Sequence, residues 1–522
     1  MKKILYAGLV FAVACNSAQQ NNSTTVTNNS SDDTNRIDYA KTITEEELKE
    51  HLYTYASDEF EGRNTGEPGQ KKAVEYLKAE YEALGIPAAK GGNDYFQKVP
   101  LEISGVPTGQ IKINGQEFSM GEGVISFSSV ANKTFDIVYA GYGIDTEKYS
   151  DYNNIDVKGK YVLVKIGEPK TDYGSYILTG TKTPSVWSNW RETLTKRVEI
   201  AQEKGAEGFI YYDEDFYNRA KRRYDHYAER KDDGQISLKT DEKKIANLMV
   251  NQKVAEALFN DIDTDNKAKE LDATISLNLQ NTNREVDSEN VVAIIEGKSK
   301  PEEYVVISAH LDHVGVDPSG DVYNGADDDG SGTVAILEIA EAFKKAAEDG
   351  NGPERSIVFL HVTGEEKGLL GSEYYSENPI FPMEQTVADL NIDMIGRIDP
   401  KRDGNRNYIY LIGSDKLSTD LHELSEKVNE KYTQIELDYT YNDENDPNRF
   451  YYRSDHYNFA KHNVPIIFYF NGTHDDYHKV TDTPDKINYD LLKNRTDLVF
   501  HTAWEIANRP ERLVVDKAVS EN

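Results

Sequence analysis

Histidine and aspartate stand two residues apart in H-L-D-H-V-G, at positions 310–315, directly after the apolar run Y-V-V-I-S-A. In an H-x-D pair, Asp312 can accept the second ring N–H of His310, which fixes the tautomer and leaves one nitrogen for a metal. We expect His313 to face away from that metal. An H-x-D pair alone is a weak signal, so the prediction depends on what else lies nearby.

Two acidic motifs follow along the chain. G-A-D-D-D-G-S-G, at 325–332, places Asp328 between two other carboxylates, which repel one another unless a cation neutralises them. A solvated acidic loop or a helix start would also explain this motif. In V-T-G-E-E, at 362–366, Glu365 and Glu366 leave a predicted strand with side chains on opposite sides. One of them can bind a metal while the other faces the reacting water.

Two more candidate ligands stand further along the chain. Asp393 lies in L-N-I-D-M-I-G, and His478 lies in D-Y-H-K-V-T-D-T-P-D. Each follows an apolar run that is typical of a buried strand. Taken alone, Asp393 is better explained by a structural role. Five such motifs at five loop positions of one α/β region nevertheless predict a common metal centre.

The segments that must position these residues have an α/β pattern from residue 290 onward. Compact apolar runs at 356–362 and 464–470 predict buried strands, and residues 331–348 predict a helix that ends before Gly350. Strands that alternate with helices indicate an α/β fold with a mixed, largely parallel sheet sandwiched by helices. Ligand sites in such sheets form outside the carboxyl ends of the strands.

Taken together, the five motifs, the last of which reads Y-H-x-x-x-D-T, resemble the co-catalytic zinc aminopeptidases. That family contains bacterial leucyl aminopeptidases and, more distantly, glutamate carboxypeptidase and the transferrin receptor. The phrases V-K-G-K-Y-V-L-V-K and A-Q-E-K-G-A-E-G-F-I-Y-Y resemble a protease-associated (PA) domain, mostly β, inserted into the peptidase. The resemblance implies a zinc-peptidase fold with this insertion.

The resemblance also implies a role for each motif residue. It implies Zn²⁺ as cofactor, two ions per chain, bridged by Asp328. His310 and Asp393 would complete one zinc site, and Glu366 with His478 the other. The implied catalytic residues are Glu365 as general base, Tyr477 as oxyanion stabiliser, and Asp312 as the partner of His310.

The implied activity is that of an aminopeptidase, which removes N-terminal residues from peptides through a hydroxide bound between two zinc ions. Three alternatives remain open on the same scaffold. One is a dipeptidase or carboxypeptidase, the second is a glutaminyl cyclase with a single zinc, and the third is a catalytically inactive receptor-like binding module. Neither H-E-x-x-H nor G-x-S-x-G occurs, which excludes the zincin and serine-hydrolase signatures.

The first residues predict export. Residues 1–15 combine Lys2 and Lys3 with a short apolar run, which predicts a secretory signal peptide. Cys15 after V-A resembles a bacterial lipobox, which implies lipid attached to that cysteine; a plain signal peptide cut nearby is the alternative. Residues 16–40, rich in Asn, Ser and Thr, predict a flexible tether. We therefore expect location in the cell envelope, in the periplasm or at the outer membrane, or secretion. The lipid would provide membrane attachment.

The motifs also indicate where the domains begin and end, and the composition excludes several kinds of partner and site. The peptidase is expected over 41–105 and 283–510, the PA insert over 106–282, and a tail over 511–522. The 522 residues include 91 acidic and 59 basic side chains, a formal charge of −32, which argues against nucleic acid as a partner. A single cysteine excludes internal disulfides and cysteine-rich zinc sites. The sequence does not predict an oligomeric state.

Overall fold

The computed structural model describes residues 29–229, 234–239, 244–402 and 404–518. The strands in these ranges are β1 (Phe96–Ser104), β2 (Thr108–Ile113), β3 (Gln116–Phe118), β4 (Val124–Ser126), β5 (Val130–Tyr139), β6 (Asp145–Thr146), β7 (Tyr149–Ser150), β8 (Tyr161–Lys165), β9 (Gly208–Tyr212), β10 (Gln235–Leu238), β11 (Ala246–Val250), β12 (Lys269–Gln280), β13 (Asn283–Ile295), β14 (Lys300–His310), β15 (Arg355–Val362), β16 (Thr386–Ile392), β17 (Tyr408–Ile412), β18 (Glu436–Asp438) and β19 (Ile466–Phe470).

The helices in the same ranges are α1 (Asn29–Ala40), α2 (Glu45–Tyr55), α3 (Pro68–Leu84), α4 (Trp190–Glu203), α5 (Glu214–Glu229), α6 (Gln252–Leu258), α7 (Gly332–Glu348), α8 (Leu370–Glu377), α9 (Thr419–Tyr432), α10 (His456–Lys461) and α11 (Tyr489–Asn508). Local signals in the sequence explain several boundaries. Thr44 caps α2, because its hydroxyl accepts the backbone N–H of Glu47 at 3.1 Å. Gly85 ends α3 in the left-handed conformation, with a φ of 67°.

A nine-stranded mixed sheet forms the centre of the larger unit. Its strand order is β10-β1-β13-β15-β14-β16-β19-β17-β18. The four strands β15, β14, β16 and β19 are adjacent and parallel, whereas β1, β13 and β17 add antiparallel pairs. The carboxyl ends of the four parallel strands therefore meet at one edge of the sheet.

Helices cover both faces of this sheet. Apolar side chains of α2, α3, α7 and α11 form one continuous core with the strands, and α8 and α10 pack on the opposite face. Every residue of β15, β16 and β19 is buried. A sheet covered on both faces requires near-continuous apolar strands, which is the pattern in the sequence. The predicted α/β architecture is confirmed.

The PA region forms a second sheet, with the order β3-β2-β12-β5-β8-β9-β11-β4. Helices α4, α5 and α6 pack against it. The two ends of the insert meet, since the backbone N–H of Gly105 donates to the carbonyl of Thr282 at 2.8 Å. One part of the insert leaves its own sheet: β10 pairs antiparallel with β1 and forms one edge of the nine-stranded sheet.

The predicted tether over 16–40 is wrong for its last part. Residues 29–40 form helix α1, and Tyr39 stacks on Trp504 with ring centroids 5.8 Å apart. Arg36 is buried and donates to Glu505 at 2.9 Å. Aromatic packing and a paired arginine fix a segment whose composition is otherwise polar. The predicted signal peptide and Cys15 lie outside the described residues.

Across the described ranges, no helix is long and apolar enough to cross a membrane.

Candidate metal centre

The predicted site residues come together at the carboxyl ends of the four parallel strands. His310 ends β14, the two glutamates follow β15, and Asp393 follows β16. His478 lies in the segment after β19. Asp328 belongs to a tight turn that leads into α7. This placement follows the general rule for sites in parallel sheets.

One group of donor atoms is formed by His310, Asp328 and Asp393, which lie within 4.8 Å of one another. The Nε2 atom of His310 is 3.2 Å from Oδ1 of Asp328 and 3.7 Å from Oδ1 of Asp393. All three residues are buried. The buried hydroxyl of Ser454 donates to the other oxygen of Asp393 at 2.6 Å, which fixes the orientation of that carboxylate.

The second group contains one residue more than predicted. Nε2 of His478 lies 3.0 Å from Oδ2 of Asp328 and 3.1 Å from Oε2 of Glu366. His313 also belongs here, because its Nδ1 is 3.0 Å from Oε1 of Glu366. The prediction that His313 faces away is wrong. The chain turns after His310 so that His313, three residues later, returns to the same cluster.

Asp312 makes different contacts from those predicted. Nδ1 of His310 donates to the backbone carbonyl of Asp312 at 3.0 Å, while the nearest carboxylate oxygen is 3.9 Å away. The carboxylate instead accepts the Thr65 hydroxyl at 2.7 Å and the backbone N–H of Glu365 at 3.1 Å. Asp312 therefore orients His310 through its main chain and anchors the segment that carries the predicted general base.

The flanking carboxylates of the acidic triplet hold the backbone. Asp327 accepts the N–H of Gly396 at 2.6 Å, and Asp329 accepts the N–H of Met394 at 3.0 Å. Asp482 accepts the backbone N–H groups of both Asp327 and Asp328. Asp328, whose peptide bond to Asp329 is cis, is thus the member of the triplet that lies between the two groups.

Glu365 and Glu366 have opposite electrostatic surroundings. Burial raises the pKa of the Glu365 carboxyl well above its usual value, and the carboxylates of Glu366 and Asp393 raise it further, although His310 acts against them. Burial also opposes ionisation of Glu366, but contacts with His313 and His478 outweigh it and lower its pKa to about 2. A carboxyl of raised pKa suits proton transfer, and an ionised one suits a cation.

Burial opposes protonation of the two histidines, but their carboxylate contacts dominate. The pKa of His310 is raised well above its usual value, and that of His478 is raised to about 10. Asp328 is likewise kept ionised: contacts with these histidines overcome burial and lower its pKa well below the usual value. A cation that binds here would replace these protons.

The buried donor atoms fit a metal ion. Nε2 of His310, both ring nitrogens of His313, Oδ2 of Asp328 and Oε1 of Glu366 are buried without a hydrogen-bond partner of acceptable geometry. Unpaired polar atoms cost free energy in a protein interior unless something satisfies them. The atoms of His310, Asp328 and Glu366 lie in the two donor groups, and one ring nitrogen of His313 faces the second group. Nitrogen and carboxylate oxygen atoms in this arrangement suit a divalent metal.

Sequence reasoning missed three supporting residues. Ser454 orients Asp393, Asp482 binds the backbone of the acidic turn, and His474 places Nε2 3.2 Å from Oδ2 of Asp327. Asp482 is the aspartate of the Y-H-x-x-x-D-T motif, so its position carried a signal. Ser454 and His474 stand in loops whose spacing to the other motifs indicates nothing until the chain is folded.

The comparison with known families agrees with this geometry. Residues 290–503 match Peptidase family M28, and residues 133–258 match the PA domain. This part of the chain is therefore similar to Peptidase family M28. The residues matched by M28 include the whole candidate metal centre, and the residues matched by the PA domain lie inside the insert between β1 and β13.

Individual relatives of the M28 domain are distant. A probable leucine aminopeptidase of Trichophyton verrucosum is 31% identical over 225 residues, which are 42% of this chain and 57% of that protein. A probable glutamate carboxypeptidase of Arabidopsis thaliana is 37% identical over 106 residues, 20% of this chain and 14% of that protein. The matched part of this chain thus spans little more than half of the first relative and a much smaller share of the second.

A solved structure shares the fold over most of the chain. The aminopeptidase from Aneurinibacillus sp. strain AM-1 aligns with a TM-score of 0.51 and 19% identity, covering 92% of this chain and 98% of that one. At this identity the likeness shows the fold alone.

Proposed function

We propose that this protein is a zinc-dependent aminopeptidase that holds two zinc ions. The observation that carries the proposal is the convergence of two donor groups on Asp328, next to a carboxyl of raised pKa. His310 and Asp393 would hold one ion, and Glu366 with His478 the other. Names of the relatives support this activity, because they include leucine aminopeptidases.

Bound zinc would supply an electrophile for the peptide carbonyl and an activated water at neutral pH. The chain's own residues perform the remaining tasks. Glu365 lines the same cleft as Asp328 and Asp393, where it can take a proton from the attacking water and pass it to the leaving amine. Burial and the nearby carboxylates raise the pKa of Tyr477, so its hydroxyl stays protonated and can donate to a developing oxyanion.

Metal analysis together with hydrolysis assays tests this proposal. Purified protein should contain two zinc ions per chain and should hydrolyse aminoacyl nitroanilides and small peptides. Acetylation of the substrate amine should abolish cleavage, since an aminopeptidase acts on a free N-terminus. One ion per chain would favour a cyclase instead, and metal-free, inactive protein would favour a binding module. Cleavage of acetylated peptides from the carboxyl end would indicate a carboxypeptidase.

We further propose that the protein is exported and anchored by lipid on Cys15. The support is the lone cysteine of the chain, which stands directly after a short apolar run and before a polar segment. Fractionation of bacterial cells that express wild type and Cys15→Ala tests this. Wild type should partition with membranes and the variant with the soluble fraction. Identical partition of the two into the soluble fraction would contradict the proposal.

A further inference from the structure

The cleft that reaches the candidate metal centre has an apolar wall and is lined by one arginine. Asp328, Glu365 and Asp393 lie at its base, and Met394, Phe450, Phe468 and Phe470 form its wall. Arg453 also lines this cleft. A wall of aromatic and thioether side chains packs the apolar part of a ligand but provides no partner for a charged group.

Neighbouring residues fix the position of Arg453 in the cleft. It directly follows the helical turn Phe450–Tyr452, and its guanidinium carbon lies 4.9 Å above the ring of Phe450. The next residue, Ser454, is buried and donates to the carboxylate of Asp393 at 2.6 Å. The backbone at Arg453 is therefore tied to a predicted metal ligand, while its side chain is exposed at the cleft.

The guanidinium of Arg453 has no carboxylate within 4 Å in the part of the chain that the structure describes. Other arginines near the site are paired: Arg397 binds Asp476 at 2.9 Å, and Arg402 binds Asp438 and Glu436. An arginine that stays unpaired in a protein with 91 acidic side chains is well placed for an external anion. Its planar fork matches a carboxylate bidentately.

We propose that Arg453 is a specificity-determining residue that binds a carboxylate of the substrate. The inference rests on the proposed peptidase function and deepens it. The carboxylate can belong to the acidic side chain of an N-terminal Glu or Asp, or it can be the free C-terminal carboxylate of a dipeptide. In both cases the apolar wall packs against the substrate carbons and excludes water, which strengthens the ion pair.

A set of matched substrates tests the proposal. Glu-nitroanilide and Gln-nitroanilide differ in side-chain charge, and Leu-Gly and Leu-Gly-amide differ in C-terminal charge. With Arg453→Gln we expect at least about a tenfold loss in kcat/KM for one charged member, mainly through KM. The neutral partners should change less than about twofold. Arg453→Lys should restore part of the loss, because it keeps the charge without the fork.

Arg449→Gln is the matched control. Arg449 belongs to the same segment, and its guanidinium carbon lies 4.6 Å above the ring of Tyr452, but it lines a neighbouring pocket with Tyr441 and Asp446. This variant should leave the charge preference unchanged. A general disturbance of the segment would affect both variants and all substrates alike, and this result would overturn the proposal.

The outcomes separate the two sources of the carboxylate. A loss confined to Glu-nitroanilide assigns Arg453 to the acidic side chain, and a loss confined to Leu-Gly assigns it to the C-terminus. Unchanged preference in Arg453→Gln overturns the proposal. Titration calorimetry with glutamate gives a readout without turnover: binding should weaken at least about tenfold in the variant, and equal binding overturns the inference. Absence of hydrolysis with every substrate contradicts the proposed function, while calorimetry still tests Arg453.

Discussion

Glu365 and Glu366 are adjacent in sequence but differ in every contact that matters for chemistry. Glu366 meets His313 and His478 at about 3 Å, whereas Glu365 lines the cleft with Asp393. Removing the charge from each should therefore have different effects. Glu365 is expected to transfer protons without holding metal, and Glu366 to hold metal.

Glu365→Gln should lower kcat by about 10²–10⁴, because it removes a positioned general base. Its zinc content should stay at two per chain. Glu366→Gln should lower zinc towards one per chain, and added zinc should restore part of the activity. Zinc content and hydrolysis rates measured on the same samples test these two roles. Loss of zinc in Glu365→Gln with retention in Glu366→Gln would exchange the two roles.

His313 and His478 both reach the second donor group, but not equally. His478 has two contacts of 3.0 and 3.1 Å, whereas His313 has one of 3.0 Å and lies 3.8 Å from Asp328. We expect His478→Ala to lose one zinc per chain. His313→Ala should keep two ions but bind one about 10–100-fold more weakly, as when a supporting partner of a ligand is removed.

Competition with a zinc chelator measures both affinities. His462→Ala is the control, since His462 lies at the end of α10 and contacts only Glu377 among the charged groups described. Its zinc binding should equal that of wild type. A full loss of one zinc in His313→Ala, with retention in His478→Ala, would make His313 the ligand.

At the scale of elements, the contact between α2 and α7 contains a buried carboxyl. Glu338 of α7 is 1% exposed, accepts the backbone N–H of Thr44 at 3.4 Å, and lies 3.6 Å from Nε2 of His51. Burial raises its pKa to about 8, and the carboxylates of Glu47 and Glu341 contribute. The folded state therefore keeps this proton more tightly than the unfolded state does.

In the folded protein the pKa of Glu338 lies above the ordinary value of 4.5. The protonated carboxyl therefore makes its full contribution to the free energy of unfolding below about pH 4.5. This contribution is lost as the pH rises through 8, by up to about 1.4 kcal/mol per pH unit. Glu338→Gln should remove this dependence and raise the urea midpoint relative to wild type at pH 8. Measurements at pH 5, 6, 7 and 8 check it. Glu348→Gln, on an exposed part of the same helix, should follow wild type.

Elements with strong local signals were predictable, and those defined by distant contacts were not. Gly350 ended the predicted helix over 331–348, and the structure ends α7 at Glu348. No local pattern reveals that β10 pairs with β1, or that α1 packs through Tyr39 on Trp504, because those contacts join distant parts of the chain. The same holds for the candidate metal centre. Local motifs predicted most of its residues, whereas the position of His313 depends on a turn that only the folded chain shows.

At the scale of the whole molecule, the negative charge and the insert both bear on substrate access. A formal charge of −32 repels anions at long range, so an acidic substrate depends on local cations such as Arg453. Salt screens the long-range repulsion over about 10 Å at 0.1 M. The insert lies between two strands of the peptidase sheet in sequence, and every proposed ligand lies outside it.

Deletion of residues 106–281, with Gly105 joined to Thr282 through two glycines, tests whether the insert contributes to chemistry. The junction is feasible because β1 and β13 already pair up to Ser104 and Asn283. The shortened protein should keep two zinc ions and hydrolyse small nitroanilides within about threefold of the wild-type rate, since no proposed ligand or base is removed. Its selectivity for peptide length should change.

The deletion also removes β10 and exposes the edge of β1, which invites pairing between molecules. We therefore expect the shortened protein to self-associate in light scattering. A second version that carries Ile103→Lys, on the newly exposed strand, should stay monomeric because a charged side chain opposes edge pairing. The hydrolysis assay should be made on this version. If it is folded and retains zinc but does not hydrolyse small substrates, the insert must supply part of the active site.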